Sequence, residues 1–313
     1  MSVALKTIHD LPPAQTDVSR YLGLAVFIDG SLSQVGLGPR QLWQLLSGTS
    51  FGRRLARCRL AADAGWQAAE EAVDLAERRG RNANDELVFN GMVFAASDGA
   101  SSPSLEIADR GAVLGMNRAS HLLFRFPDAV SAEELASVAA WVLDHVPLWW
   151  GTAGWFFRVG KGPPPATGRR LAGLAKRYWG VQLLDTTALQ WDALEGMPSV
   201  NWMNLIGQGF VDKVGASLPT LLAQATTLRQ RAVFHRAGKH GVAFAAGARP
   251  SLGDINADER MDALVQVAGL LKPMLLGSLF PMTGPLAQPE VLSAWLHRFS
   301  RPQAWLDCDI HAE

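Results

Sequence analysis

Apolar runs along the chain alternate with stretches that repeat at helical spacing, and turn residues mark most of the changes. Tyr21 to Ile28 (YLGLAVFI) is rich in strand formers and stops at Asp29-Gly30, so it reads as a strand. Pro39 then opens RQLWQLLSG, where Leu42, Leu45 and Leu46 fall on one helical face. Trp66, Ala69, Val73 and Ala76 share a face, with Glu70, Asp74 and Glu77 on another, which predicts a helix over about Arg54–Arg79. Residues 80–104 are polar and turn-rich, interrupted by the apolar GMVFAA. HLLFRF (His121 to Phe126) reads as a strand ended by Pro127-Asp128. Ser131 and Glu134 have the spacing of a capping box, which satisfies free backbone donors at a helix start. The stripe Leu135, Val138, Ala139, Val142 belongs to that helix, and WWGTAGWFFRV (Trp149 to Val159) returns as a strand.

The second half follows the same grammar. KGPPPATG (Lys161 to Gly168) reads as a stiff loop or linker, and a short helix is expected around Arg169–Tyr178. Val200 to Ile206 reads as a strand that turns at Gly207 and Gly209 into a short amphipathic piece ending near Gly215. Ala232 to Gly247 reads as a hairpin around Gly238-Lys239-His240-Gly241. Asn256, with Glu259 three residues on, is expected to cap a helix bearing Met261, Leu264, Val265, Ala268 and Leu271, ended by Pro273. Pro289 starts a last helix with Leu292, Trp295, Leu296 and Phe299 inward. Strands and helices are mixed without regular βαβ alternation, which predicts an α+β fold, a mainly antiparallel sheet packed with helices. The Pro-rich stretch suggests two lobes, 20–160 and 168–313, behind a loose arm over 1–19; one continuous domain is the alternative.

Composition narrows the function classes. The 313 residues are 48% hydrophobic and 19% charged, with formal net charge zero, as in a folded chain with a large core. No global positive field draws it to nucleic acid or to an anionic membrane, so any charge-driven recognition is local. The N-terminal residues lack an apolar core of signal-peptide length, and Lys272-Pro273 and Pro281 break the greasiest stretch, so a cytoplasmic location without membrane insertion is expected. Eleven tryptophans stand against two tyrosines. They read first as core and otherwise as anchors of a partner surface.

Candidate chemistry is sparse. GTSFG (Gly48 to Gly52) matches GxSxG and makes Ser50, with a distant His121 or His235, the nucleophile of an alternative serine hydrolase; the segment before it is helical where that motif needs a strand. His235 and His240 flank a turn with no further ligand nearby, and Asp307, Asp309 and His311 lie near the C-terminus. Cys58 and Cys308 belong to no CxxC cluster. No metal or cofactor is expected. In the Gly207–Gly209 turn, Asp212 stands where a dinucleotide fingerprint has its third glycine and would repel pyrophosphate. Strand alternation puts Asn201 and Asn204 on opposite faces, which argues further against a ligand there. Basic clusters (Arg53, Arg54, Arg57 and Arg59; Arg78, Arg79 and Arg81; Arg169, Arg170, Lys176 and Arg177) are balanced by acidic residues elsewhere, and direct nucleic-acid binding is not expected. Two acidic stretches remain, Asp254, Asp258, Glu259 and Asp262, and Glu70, Glu71, Asp74 and Glu77. As structure they are solvated helix faces and first-turn charges; as function they would meet a basic partner.

Three segments occur in order: KRYWGVQLLD (Lys176 to Asp185), GMPSVNWMNLIGQGFVDKVG (Gly196 to Gly215) and the strand pair near Val233 to Phe244. Together they resemble a bacterial family of type VI secretion immunity proteins, defined by a domain of otherwise unknown function. The likeness is clearest over Arg169–Phe244, with YLGLAVFI and WWGTAGWFF fitting the general layout. The resemblance implies a cytoplasmic α+β protein encoded beside a secreted toxin, in several members a nuclease of the restriction-endonuclease type. It implies action by binding, either occluding the toxin's active site or holding it inactive, with no turnover. The acidic residues Asp254, Asp258, Glu259 and Asp262 are the first expected contact, and Glu70, Asp74 and Glu77 the second. A non-catalytic scaffolding role is the remaining alternative.

Overall fold

The computed structural model describes residues 18–60, 65–82, 92–97, 102–109, 112–113, 116–127, 129–159, 164–183, 186–229, 232–279 and 284–310. The strands are β1 Val18–Ile28, β2 Arg57–Arg59, β3 Gln67–Ala68, β4 Met92–Ala95, β5 Ser104–Ala108, β6 Ala112–Val113, β7 Met116–Asn117, β8 Ser120–Phe126, β9 Trp150–Val159, β10 Val181–Leu183, β11 Met203–Gly207, β12 Val233–Gly238 and β13 Gly241–Ala246. The helices are α1 Pro39–Ser47, α2 Ala69–Asn82, α3 Ala132–His145, α4 Pro164–Arg177, α5 Thr186–Leu189, α6 Gln208–Lys213, α7 Leu218–Thr227, α8 Asp262–Leu270, α9 Pro289–Leu296 and α10 Pro302–Asp307. Among the described residues β6 and β7 pair only with each other; the other strands form an 11-stranded sheet in the order β12-β13-β11-β9-β1-β8-β5-β4-β2-β3, with β10 beside β9. The only parallel pairing among its described strands is β10 with β9. The fold is therefore the α+β class read from the sequence. The Pro-rich stretch lies partly outside the described residues, and α4 begins within it at Pro164. β9 before it and β10 and β11 after it are neighbours in the one sheet.

In the N-terminal half of the sheet the alternation of side chains divides the work between faces. Leu24, Val26, Leu105, Leu122, Phe124 and Phe94 are buried on one side. α1 and α3 close over it: Trp43 stacks on Phe94 at 5.1 Å, and Trp141 meets Phe124 edge-on at 6.4 Å. Phe51, just past α1, fills the space between Phe124 and Phe126. Ser131 caps α3 as its spacing predicts, accepting from the Glu134 amide at 3.1 Å, while the Glu134 carboxylate pairs with Arg54. Six tryptophans are buried (Trp150, Trp155, Trp179, Trp202, Trp295 and Trp305), so these belong to the core.

Three local expectations are corrected. The helix expected over Arg54–Arg79 is a 3-10 turn at Gly52–Arg54, then the hairpin strands β2 and β3, and helix only from Ala69. The register supplies the reason: β2 is paired on one side with β4 and on the other with β3, and that pairing overrides helical periodicity. Asn256 and Glu259 do not cap a helix: Ile255–Ala257 is a 3-10 turn capped by Asp254, and α8 begins at Asp262. At the Gly207 corner read from the sequence, φ is −81 and the glycine serves close approach; a Cβ there would run into the Leu148 carbonyl. Asn201 and Asn204 are not on opposite faces. The β11 ladder begins only at Met203, and the preceding bend folds Asn201 back.

That bend closes a seam. On one edge β9 pairs with β11 through Trp150–Ala153 and with β10 through Trp155–Phe157. Gly154, at φ +148, stands between the two ladders, and the Asn201 side chain occupies the space its missing Cβ leaves. Asn201 Nδ2 donates to the Trp155 carbonyl at 3.1 Å and its Oδ1 accepts from the Trp202 amide at 2.7 Å. Asn204 completes the knot, accepting from the Asn201 amide at 3.0 Å and donating to its carbonyl at 2.9 Å. These buried groups satisfy backbone that no strand pairs. Gly154→Ala combines a strained φ with displacement of Asn201 and is expected to lower unfolding free energy by about 3 kcal/mol. Gly173→Ala, in the exposed interior of α4 with nothing near its Cβ position, is expected to raise it by about 0.5–1 kcal/mol. Urea unfolding of the two variants measures both; equal effects would remove the seam as a structural constraint.

Candidate functional site

After β13 the chain turns back along the start of β10. Trp179 and Gly180 donate backbone hydrogen bonds to the carbonyls of Gly253 and Leu252, at 3.1 and 2.8 Å. Asp254, 8% exposed, accepts a two-pronged contact from Arg177, Nε to Oδ1 at 3.0 Å and Nη2 to Oδ2 at 2.9 Å. The same Oδ1 accepts from the Asn256 amide at 3.0 Å. The Arg177 hydrogen bonds hold the Asp254 carboxyl below its usual value, outweighing the opposite push of burial. Glu259 also turns back, accepting from Ser251 Oγ at 2.6 Å and from the Gly253 amide at 2.9 Å. Asp258, at φ +50, and Asp262, in the first turn of α8, are exposed. Of the four acidic residues in this stretch, two therefore build the loop and two face outward.

The second acidic stretch divides in the same way. Asp74 pairs with Arg40 at 2.6 Å, and Glu77 accepts from the Arg40 amide at 3.0 Å, so both carboxylates hold the start of α1 against α2. Glu70 and Glu71 are exposed in the first turn of α2, where the helix dipole favours negative charge.

A third surface was not singled out in the sequence. The sheet face opposite α1 carries a concavity of about 430 Å³ lined by Arg59, Trp66, Ser104, Glu106, Arg125 and Arg158, among others. Register assembles it: Arg125 lies opposite Ser104, Glu106 opposite Val93, and Val93 opposite Arg59. Arg125 Nη2 meets Glu106 Oε2 at 2.7 Å, and the buried His121 stands with Nε2 3.7 Å from Oε1. Burial pushes the Glu106 carboxyl up, but His121 and Arg125 outweigh it and bring it down to about 2. Arg57 and Arg59 lie over the Trp66 ring, 5.7 and 5.2 Å from its centre. The signal lies in polar residues at period two, Arg57 with Arg59 and Ser104 with Glu106, and in His121 and Arg125 four apart on the same face of β8. The helical spacing over Arg54–Arg79 masks the period of β2.

The remaining candidates are dispersed. Ser50 is an exposed turn residue between α1 and a 3-10 turn, and the strand that a nucleophile elbow requires is not beside it. Phe51 next to it packs on the sheet face opposite the one that carries His121 and Arg125. The Gly207–Gly209 corner is filled by Leu148 and Trp149, and Asp212 accepts from Gln208 at 2.6 Å. His311 lies outside the described residues. Among the described residues no group of three or more His, Cys, Asp or Glu is placed to hold a metal ion, and no helix is long and apolar enough to cross a membrane.

The architecture recurs in a solved structure. The Pseudomonas aeruginosa T6SS protein PA0821 has the same fold, with a TM-score of 0.67 and 18% identity, over 95% of this chain and 89% of that one. No curated protein matches the sequence. The profile of the TsiV family, type VI immunity for VRR-NUC, matches residues 95–299, and the chain belongs to this family. The expectation of a type VI immunity protein, drawn from the Lys176–Phe244 region, is thereby met.

The Glu106 site carries a pH signature. A carboxyl lowered in the folded state stabilises above its unfolded pKa, and that stability is lost as pH falls through the folded value. Wild-type protein is expected to lose stability as pH falls from about 4.5 to about 2. Glu106→Gln should be destabilised by about 2 kcal/mol at neutral pH and show a smaller slope across that window. Chemical denaturation at stepped pH measures it, and an unchanged slope would refute the assignment.

Proposed function

We propose that the protein neutralises a VRR-NUC toxin by binding it directly and covering the active site, with the loop from Asp254 to Asp262 as the contact. The supporting observation is the construction of that loop. Arg177–Asp254 and the Glu259 hydrogen bonds hold it in one shape, so Asp258 and Asp262 meet the partner with little left to order. A nuclease must offer positive charge to DNA phosphates. Carboxylates on a fixed frame address the same surface and accelerate encounter. Glu70 and Glu71 on α2 form a second acidic surface of the same kind. Neutralisation by occlusion requires no turnover, no cofactor and no contact between this chain and DNA. It takes place in the cytoplasm, where the toxin's substrate lies.

Co-expression tests this reading. Cells producing the toxin encoded beside this gene should survive when the protein is present, and the two should co-purify. Loss of either result sinks it. Reversal of Asp258 and Asp262 to Lys leaves the internal bonds of the loop intact. It is expected to raise Kd by roughly 10- to 100-fold, mainly through a slower on-rate, and to flatten the dependence on salt. Unchanged affinity and salt slope would clear this loop of a role.

A further inference from the structure

We infer that β12, the strand that ends the sheet, is the pairing edge for a second copy of this chain, joined antiparallel across a two-fold axis at His235. Register shows which backbone groups are on offer. Ala246 donates to the Trp202 carbonyl at 2.7 Å, toward β11, and Gly247 donates to the Ala232 carbonyl at 2.7 Å, on the β12 side. Alternation along the antiparallel ladder then turns the amides and carbonyls of Val233, His235 and Ala237 to the outer edge. The Val233 amide donates to the Leu228 carbonyl at 3.4 Å; among the described residues nothing bonds the outward amides and carbonyls of His235 and Ala237. Sheet edges in monomers are blunted by short strands, bulges, proline or cover. The far end of the sheet follows that rule, since β3 is only Gln67–Ala68 and runs straight into α2. β12 does not. Its pairing with β13 is unbroken from Val233 to Gly238, it contains no proline, and every side chain from Phe234 to Ala237 is exposed. The strand is also held in shape. The His240 amide donates to the Leu143 carbonyl in the last turn of α3 at 2.8 Å, and a Cβ on Gly238 would meet Leu143 at 2.7 Å. A fixed edge loses little freedom on pairing.

Register and charge select the occupant. A two-fold contact sets the same strand against itself, so the residue on the axis decides which side chains meet. With His235 on the axis, its amide and carbonyl bond their counterparts, and the Ala237 amide reaches the Val233 carbonyl of the second copy. Phe234 then stands opposite Arg236 of the second copy in a non-hydrogen-bonded pair, the closer kind, with the cation over the ring. Phe234 is 42% exposed and gains cover there. Arg236 is largely exposed and only loosely paired with Asp144, at 3.6 Å, so it has reach for this contact. Moving the axis to Arg236 would set two guanidinium groups face to face, which cross-strand like charge disfavours. The chain has formal net charge zero, so two copies meet without long-range repulsion. The toxin fits this edge less well: Val233–Gly238 offers no carboxylate to a basic DNA-binding surface. The pairing is independent of the toxin contact proposed above.

Sedimentation velocity over a concentration series tests the pairing in wild type, Ala237→Pro and Phe234→Lys. Proline at 237 removes an amide that points away from β13, so the hairpin and the thermal unfolding of the protein are expected to be kept. Phe234 is exposed, so the lysine variant gives a second measurement that does not depend on proline being tolerated. Wild type is expected to reach twice the chain mass in the micromolar range and Ala237→Pro to stay monomeric. Phe234→Lys sets like charges opposite each other twice and should need roughly tenfold more protein to associate. Cysteine crosslinking in a Cys308→Ser background reads the register. His235→Cys, on the axis, is expected to form an intermolecular disulfide on mild oxidation, because residues opposed in a hydrogen-bonded pair have Cα atoms about 5.5 Å apart. Arg236→Cys, off the axis, should not. A wild type that is monomeric throughout, a proline variant that dimerises like wild type, or crosslinking through position 236 instead would overturn the proposal. Hydrogen exchange adds one more outcome. If the His235 and Ala237 amides exchange freely in wild type and are protected only when toxin is added, the edge belongs to the toxin and the proposal falls.

Discussion

Strand β9 is the member on which the rest of the sheet depends. One of its edges is paired with β1 from Val18 to Phe27, and the other is shared between β11 and β10. An edge with two successive partners leaves backbone groups unpaired where one ladder stops and the next begins, and buried backbone must be satisfied. Gly154 and the Asn201–Asn204 pair solve this locally, with side-chain amides in place of strand. The strands before and after the Pro-rich stretch thus share one hydrogen-bonded layer. The surfaces at its margins are fixed relative to one another to the extent that this layer is stiff.

Charge is distributed by the same economy of position. Arg177, Arg40 and Arg125 draw Asp254, Asp74 and Glu106 into contacts that hold elements together. Arg298 is an extreme case. It is fully buried, brought down by burial to about 9, and donates to the Trp179 carbonyl, Ser199 Oγ and the Trp295 carbonyl. It thereby ties α9 to the turn before β10. The carboxylates that remain outward, Asp258, Asp262, Glu70 and Glu71, stand on frames built by the inward ones.

Local pattern carried some elements well. β1, α3 with its Ser131 cap, the β12–β13 hairpin and the apolar stripe of α9 are all legible, because burial on one face writes a period into the sequence. The failures have two causes. The segment after Arg54 has helical spacing yet pairs with β4, a partner distant in sequence that the local pattern does not reveal. Asn256 has capping spacing, yet its neighbour Asp254 takes the cap of a 3-10 turn instead.

The sequence by itself determined the α+β class, most elements of the core and the family, since each rests on composition, periodicity or a run of adjacent residues. Which charges bind inward and which face solvent was decided only by the tertiary structure. Asp254 and Asp258 are both aspartates in one short loop. Only the approach of Arg177, 77 residues earlier, makes the first a strut and leaves the second exposed. The concavity of Arg59, Glu106, Arg125 and Arg158 likewise exists because strand register sets side by side residues that lie far apart in the chain. Register is a property of pairing, and no single segment contains it.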